Sequence, residues 1–263
     1  MNDKLKKIIP IAFNGNLTRE NTSAALEIIM SGDASEGQIG AFLIALQKSG
    51  VNSDHLLGAM DVMNKKMVSV NIPKNSIDTC GTGGDGKSSL NISTAISFVL
   101  AAKNLTVAKH GNKALTSKCG SADVLSALGI NINMSTELIE ECLKKINICF
   151  MFAPNHHPAM KYVGPVRQQI GVRTIFNMLG PLLNPGNVDN QIVGVFSRDV
   201  LNIYKDVFDK REGKNAFIIY GYEGLDEIST KGENLIYSKE YGEIIFDPNE
   251  INLNRPIDSE LVG

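Results

Sequence analysis

The sequence has no acidic residue between Asp85 and Asp123, no long block of like charge, no internal repeat and no low-complexity tract. Its net charge at pH 7 is only -2, which removes the electrostatic case for nucleic acid or an anionic membrane as a partner. Cysteine is sparse. The four thiols, Cys80, Cys119, Cys142 and Cys149, have neither zinc spacing nor the density of a secreted disulfide scaffold, so a reducing cytoplasm is the expected compartment. The opening MNDKLKKIIPIAFNGN has a few positive charges but a short apolar run broken by Pro10. It reads as neither a signal peptide nor a membrane span. With those classes set aside, 263 residues suffice for one large domain or two with a real core.

The densest stretch is DTCGTGGDGKSSLNIST, Asp78 to Thr94. A short apolar run ends at Ile77, glycines follow at 81, 83, 84 and 86, and a Ser/Asn/Thr turn leads into AISFVLAA. This is a strand, a tight loop and a helix N-terminus in order. Glycine lets backbone approach a ligand closely, and the free N–H groups at a helix start attract phosphate. Ser88, Ser89, Asn91, Ser93 and Thr94 add side-chain donors.

Two familiar patterns match here, and neither is adopted. Gly81, Gly83 and Gly86 fit G-x-G-x-x-G, but a dinucleotide site wants an acid about 20 residues on to hold the ribose hydroxyls. The acid-free gap excludes one. GTGGDGKS also fits the P-loop pattern G-x-x-x-x-G-K-[ST], whose Lys and Ser hold phosphate and magnesium. Against it, SIDT is expected to be too polar for a buried central strand, Asp85 puts a negative charge in the loop, and no apolar strand ending in a clear magnesium-binding Asp follows.

Residues 1 to about 70 read as helices only. Thr18 precedes a helix carrying Ala25, Ile28 and Ile29; Ser35 and Gln38 form a capping box ahead of Ile39, Phe42, Leu43 and Leu46; Ser53 precedes Leu56, Leu57, Met60 and Met63. Three short helices make a thin core, so their apolar faces are expected to serve a dimer contact or the next domain. The Met60, Met63 and Met67 stripe reads as core. From about 71 the pattern alternates between LTVAK, ICFMF, QIVGVF and NAFIIYGY as strands, a short strand INI, and the helices SADVLSALG, STELIEECLKKIN and RDVLNIYKDVF. Such alternation predicts a mainly parallel sheet covered by helices. LIYSK and GEIIF look like a hairpin at its edge.

A second polar cluster, KHGNKALTSKCGSAD from Lys109 to Asp123, follows LTVA. In an open parallel sheet, ligands sit beyond the carboxyl ends of the strands, where this loop and the glycine loop both fall. Lys109, Lys113 and Lys118 would bring cations to the loop, and Asn112, Thr116, Ser117 and Ser121 would bring donors.

Taken together, DTCGTGGDG, NIST, KHGN, HHPAMKYVGPVRQQIGVRTIFNMLGPLLNP and GLDEIS resemble the anthranilate phosphoribosyltransferase family, from the N-terminal helices to the end of the chain. The resemblance implies an α/β protein of the nucleoside phosphorylase/phosphoribosyltransferase type. It would have a helical domain at 1–70, joined by part of 158–186, and an α/β domain at 71–263. It also implies a homodimer formed through the helical part, no nucleic-acid or membrane partner, and transfer of the phosphoribosyl group of phosphoribosyl pyrophosphate (PRPP) to anthranilate in tryptophan biosynthesis. Carried over position by position, Gly81, Gly84, Asp85, Ser89, Asn91, Ile92, Ser93, Thr94, Lys109, Ser117 and Ser121 would surround PRPP. Gly81, His110, Asn112 and Arg167 would hold anthranilate, and Ser93, Asp226 and Glu227 would bind magnesium, with two ions per subunit expected.

The residue types suit those roles. PRPP carries a 5′-phosphate and a pyrophosphate, which need many donors and hard cations with oxygen ligands, and the planar fork of Arg167 binds both oxygens of a carboxylate. His156 and His157 read as neutral positioning residues, and no general acid or base is assigned, because the amine of anthranilate is already nucleophilic. The departures from the family pattern are Lys113, where many relatives have Arg, and an end at Gly263, short of where relatives stop. The last helices of the α/β domain are therefore expected to be missing, at a cost in stability and activity. The alternatives are a pyrimidine nucleoside phosphorylase-like enzyme and a noncatalytic PRPP- or nucleic-acid-binding relative.

Overall fold

A computed structural model describes residues 2–83, 90–114 and 119–251 of the chain. Four helices open it: α1 (Asp3–Phe13), α2 (Arg19–Met30), α3 (Glu36–Ser49) and α4 (Ser53–Lys66). Then come β1 (Ile77–Gly81), α5 (Ile92–Ala102), β2 (Val107–Gly111), α6 (Ser121–Ala127), α7 (Thr136–Ile146) and β3 (Ile148–Phe152). After the single turn α8 (Ala153–His156) follow α9 (Gly164–Ile170), α10 (Ile175–Leu179), β4 (Asn190–Gly194), α11 (Arg198–Asp209), β5 (Asn215–Tyr220), β6 (Asn234–Ser238) and β7 (Gly242–Phe246). The chain forms two compact units, Met1–Val68 with His156–Leu183, and Ser69–Asn155 with Asn184–Gly263. No helix among the described residues is long and apolar enough to cross a membrane.

In the helical unit α1 packs on α3 and α2 on α4. Thr18 caps α2 through Asn21 N, and Ser35 with Gln38 forms the expected capping box on α3. Two expectations are corrected. Four helices stand where three were expected, because the opening segment forms a helix of its own, α1, with Pro10 inside it. The proline φ is helical, and the one carbonyl it strips of a donor belongs to exposed Lys6, where water can replace the bond. Leu5, Ile8 and Ala12, spaced for a helix, are buried. The cap of α4 is Asn52 rather than Ser53, because the Asn52 side chain accepts from His55 N at 3.0 Å. Of the expected core stripe Met60 and Met63 are buried, whereas Met67, at the C-cap of α4, is only half-buried.

Among the described residues of the α/β unit, seven strands lie in the order β3-β2-β1-β4-β5-β6-β7. The first five are parallel, and β6 and β7 form the antiparallel hairpin at the edge. The chain runs outward from β1 to β3 and returns to lay β4 on the other side of β1. The topological switch point therefore falls between β1 and β4, where open sheets of this kind bind ligands.

Two strand readings fail. Residues 130–132 form no strand; Ile132 packs instead with Ala122, Leu125 and Phe150 in a small satellite cluster. SIDT is not too polar for the centre of the sheet, since β1 is flanked on both sides and Asp78 and Thr79 are buried. Their polar groups are satisfied internally: Asp78 accepts from His110 N and Asn184 Nδ2, and Thr79 Oγ1 bonds Ser93 O and Ser97 Oγ.

Candidate active site

At the switch point the central strands end in glycine. Gly81 and Gly194 are partners in register, and both meet the segment after β5 that carries Asp226. A Cβ on Gly81 would lie 2.5 Å from Asp226 Oδ2, and one on Gly194 would overlap the Asp226 carbonyl oxygen and come within 2.5 Å of its carbonyl carbon. A Cβ on Gly221 would overlap Glu227 O in the same way. Three glycines thus let the acidic pair rest on the ends of the sheet. Gly83 N donates to Asp226 Oδ2 at 2.8 Å, and Ser93 N donates to Glu227 Oε1 at 3.3 Å. Gly83 holds φ at 67°, in the region that favours glycine. Asp226 is thereby tied to the glycine loop and Glu227 to the first turn of α5.

Those groups suit a hard cation. Among the described residues no set of three or more His, Cys, Asp or Glu side chains could hold a metal. A cation here would have two carboxylates, the Ser93 hydroxyl and oxygens from a ligand. That is how magnesium binds on phosphates, with few protein ligands and no all-protein cage.

Beneath this point β1 and β2 pair only at Ile77 and Val107. Beyond that pair, side chains span the two strands. Asp78 Oδ1 accepts from His110 N at 3.1 Å, while the Lys109 ammonium donates to Thr79 O and reaches Ser93 Oγ at 3.4 Å. Asn184 Nδ2 bridges Asp78 Oδ2 (2.8 Å) and Ala108 O (2.9 Å), its orientation set by Gly186 N donating to its Oδ1. Lys109 is 3% exposed, so its ammonium is buried beneath the end of β1 and does not stand in the loop with the cations expected there. Burial disfavours both charges, lowering the Lys109 pKa and raising that of Asp78, and the attraction between them opposes each shift. The ammonium lies under the start of α5, where it adds to the positive end of the helix dipole. Asn91 stands at the N-cap of α5, with Ile92, Ser93 and Thr94 in its first turn.

The second loop is joined to the first by Thr94 Oγ1, which donates to Ser121 Oγ at 2.9 Å. Ala122 N donates to Asn112 O at 3.2 Å, and Asp123 Oδ2 accepts from both Ala114 N (2.8 Å) and Gly120 N (2.9 Å). These two N–H donors hold the Asp123 carboxyl below its usual range, with help from the Lys113 charge. Gly120 has to be glycine, because a Cβ would lie 2.7 Å from Lys113 C and 2.9 Å from Asn112 O.

Arg167 belongs to the helical unit, on α9. Its guanidinium lies 5.4 Å from the Phe176 ring centroid, and Nη2 reaches Asn177 Oδ1 at 3.5 Å. Burial is the one perturbation of its pKa, which it lowers. His156 and His157 are buried in the same unit, with Nδ1 of the first bonded to Val68 O and Nε2 of the second to Leu183 O. Burial lowers both pKa values, that of His157 to about 4.

Of the expected residues, Gly81, Ser93, Asp226 and Glu227 therefore meet at the switch point, Lys109 lies under them, and Thr94, Ser121, Asn112 and His110 adjoin. Arg167 is in the other unit. Gly84, Asp85, Ser88, Ser89, Thr116, Ser117 and Lys118 lie outside the described residues. Sequence reasoning gave no role to Asp78, Asn184 or Asp123. Only Asp123 had a local signal, an acid at the third position of a helix, where such groups reach back to the preceding backbone.

Known proteins match the chain along most of its length. Residues 4–67 match the helical bundle domain of the glycosyl transferase family, and residues 73–263 match its a/b domain. The chain is 45% identical to an anthranilate phosphoribosyltransferase of Bradyrhizobium sp. (strain BTAi1) over 93% of this chain and 72% of the relative. It is 44% identical to that of Nitrobacter hamburgensis over 99% and 79%. Among solved structures, the anthranilate phosphoribosyltransferase of Thermus thermophilus superposes with a TM-score of 0.88 at 35% identity, covering 97% of this chain and 78% of that one. The Saccharomyces cerevisiae enzyme in complex with PRPP and Mg gives 0.92 at 26% identity, covering 100% and 78%.

Proposed function

The chain belongs to the anthranilate phosphoribosyltransferase family, and from that premise we infer that it transfers the phosphoribosyl group of PRPP to the amino group of anthranilate, in tryptophan biosynthesis. The C1′–oxygen bond to pyrophosphate breaks, a C1′–nitrogen bond forms, and the nitrogen gives up a proton. The products are N-(5-phosphoribosyl)anthranilate and pyrophosphate. The observation that carries the reading is the tie of Asp226 and Glu227 to Gly83 N and Ser93 N at the β1/β4 switch point. The curated relatives carry the transferase name, which favours transfer over the phosphorylase and binding-only alternatives.

In this reading Gly81, Gly84, Asp85, Ser89, Asn91, Ile92, Ser93, Thr94, Lys109, Ser117 and Ser121 surround PRPP. The α5 N-terminus and the buried Lys109 ammonium supply positive potential for its phosphates. Arg167, already desolvated beside Phe176 and orientated by Asn177, receives the anthranilate carboxylate, and Gly81, His110 and Asn112 are the further residues assigned to anthranilate. Ser93, Asp226 and Glu227 hold magnesium, as two ions per subunit; when bound, it neutralises charge building on the departing pyrophosphate. The chain's own contribution is preorganised donors, and no general base is assigned. We further propose a homodimer formed through the helical unit and a cytoplasmic location, the latter supported by four free thiols. Mixing the protein with PRPP, magnesium and anthranilate should abolish anthranilate fluorescence, whereas uridine with phosphate should give no uracil; the reverse pattern would establish the phosphorylase instead.

A further inference from the structure

Asp123 lies in neither the phosphate-binding nor the acidic set. Through one oxygen it collects the backbone N–H of Ala114 and of Gly120, two residues that stand on opposite limbs of the second loop. The limbs touch again one step away, where Ala122 N donates to Asn112 O. No Cβ fits at Gly120, so the limbs are pressed together as closely as backbone allows. The next residue, Ser121, is bonded to Thr94 in the first turn of α5. The carboxylate, together with the Ala122–Asn112 bond, therefore sets the spacing between Asn112 and Ser121, and through Ser121 the distance from the second loop to the first.

We propose that Asp123 is a positioning residue of the transferase, a clasp that holds Asn112 and Ser121 at the separation both substrates require. The proposal rests on the function given above. Both donors converge on Oδ2, so the need is for one oxygen at that point and not for its charge. An asparagine with its amide oxygen in the same place can accept both bonds, whereas alanine can accept neither.

Three proteins decide it: wild type, Asp123→Asn and Asp123→Ala. Amide hydrogen exchange of Ala114, Gly120 and Ala122 in the unliganded protein reads the clasp without substrate, and steady-state kinetics reads its consequence. Asp123→Ala should speed exchange at all three amides and raise KM for PRPP and anthranilate by on the order of tenfold, less than the roughly 100-fold that a full 1 Å misplacement costs. Asp123→Asn should restore both readouts to within about threefold of wild type, because the shared acceptor is retained. A merely structural role would lower the melting temperature and the active fraction while leaving KM of the folded protein unchanged. Unchanged KM in Asp123→Ala, or an Asn variant as impaired as the Ala variant, overturns the proposal. A wild-type protein without transferase activity would overturn the function and this inference together, whereas an active wild type with unaltered variants overturns the inference alone.

Discussion

Gly194→Ala is the smallest change that should separate the acidic pair from the glycine loop while leaving every proposed ligand in the sequence. The added Cβ would lie 2.5 Å from the Asp226 carbonyl carbon and overlap its oxygen. Carbon atoms rest at about 3.5 Å or more, so the Asp226 backbone has to retreat by at least about 1 Å. The strand cannot yield instead, because Gly194 is held in register between Gly81 and Ile219 in the parallel sheet. A retreat of that size stretches the 2.8 Å bond from Gly83 N to Asp226 Oδ2 beyond hydrogen-bond range. It also moves a proposed magnesium ligand by an amount that costs on the order of 100-fold in rate, or about 2.7 kcal/mol of transition-state stabilisation. The assay is initial velocity across a magnesium titration, with far-UV circular dichroism to show that the sheet persists. Loss of turnover with a raised magnesium requirement is expected. A folded variant with wild-type turnover and magnesium dependence would refute the claim that this glycine seats the acidic pair.

Arg167→Ala should weaken anthranilate by about 2 to 4 kcal/mol, the cost of leaving a desolvated carboxylate without its partner, and leave PRPP affinity nearly unchanged; calorimetry with each substrate separates the two, and equal losses would argue against the assignment. The Asp226→Asn, Glu227→Gln double variant should keep its melting temperature but lose turnover at every magnesium concentration, and full activity at limiting magnesium would remove both residues from the metal site. His157 is buried in its neutral form with a pKa lowered to about 4, so the unfolded chain binds the extra proton first. Stability should be complete above about pH 6.5 and fall by up to roughly 3 kcal/mol as the pH drops toward 4; urea unfolding of His157→Asn should show a shallower slope over that window, and an unchanged slope would assign the acid sensitivity to other groups.

The alternation of strands and helices, the edge hairpin and the position of both loops after β1 and β2 were legible because apolar periodicity and glycine placement are local properties. Polarity misled at β1, where Asp78 and Thr79 looked unfit for a central strand. Their partners, His110 N, Asn184 and Ser97, are 18 to 106 residues away in sequence, and no local pattern reveals them. The helix around Pro10 went unassigned for a related reason: whether a helix survives a proline depends on which carbonyl is orphaned, and exposed Lys6 makes the loss cheap. Lys109 counted as a loop cation until the strand carried it into the interior. Gly194 and Gly221 attracted no notice, since only the tertiary approach of Asp226 and Glu227 shows why no side chain fits there.

The most direct measurement is phosphorus NMR of one reaction containing protein, magnesium, PRPP and anthranilate. The PRPP diphosphate resonances should vanish and free pyrophosphate appear in one-to-one proportion with N-(5-phosphoribosyl)anthranilate, and only when both substrates are present. Pyrophosphate released without anthranilate, or anthranilate consumed with no pyrophosphate formed, would contradict the proposed transfer.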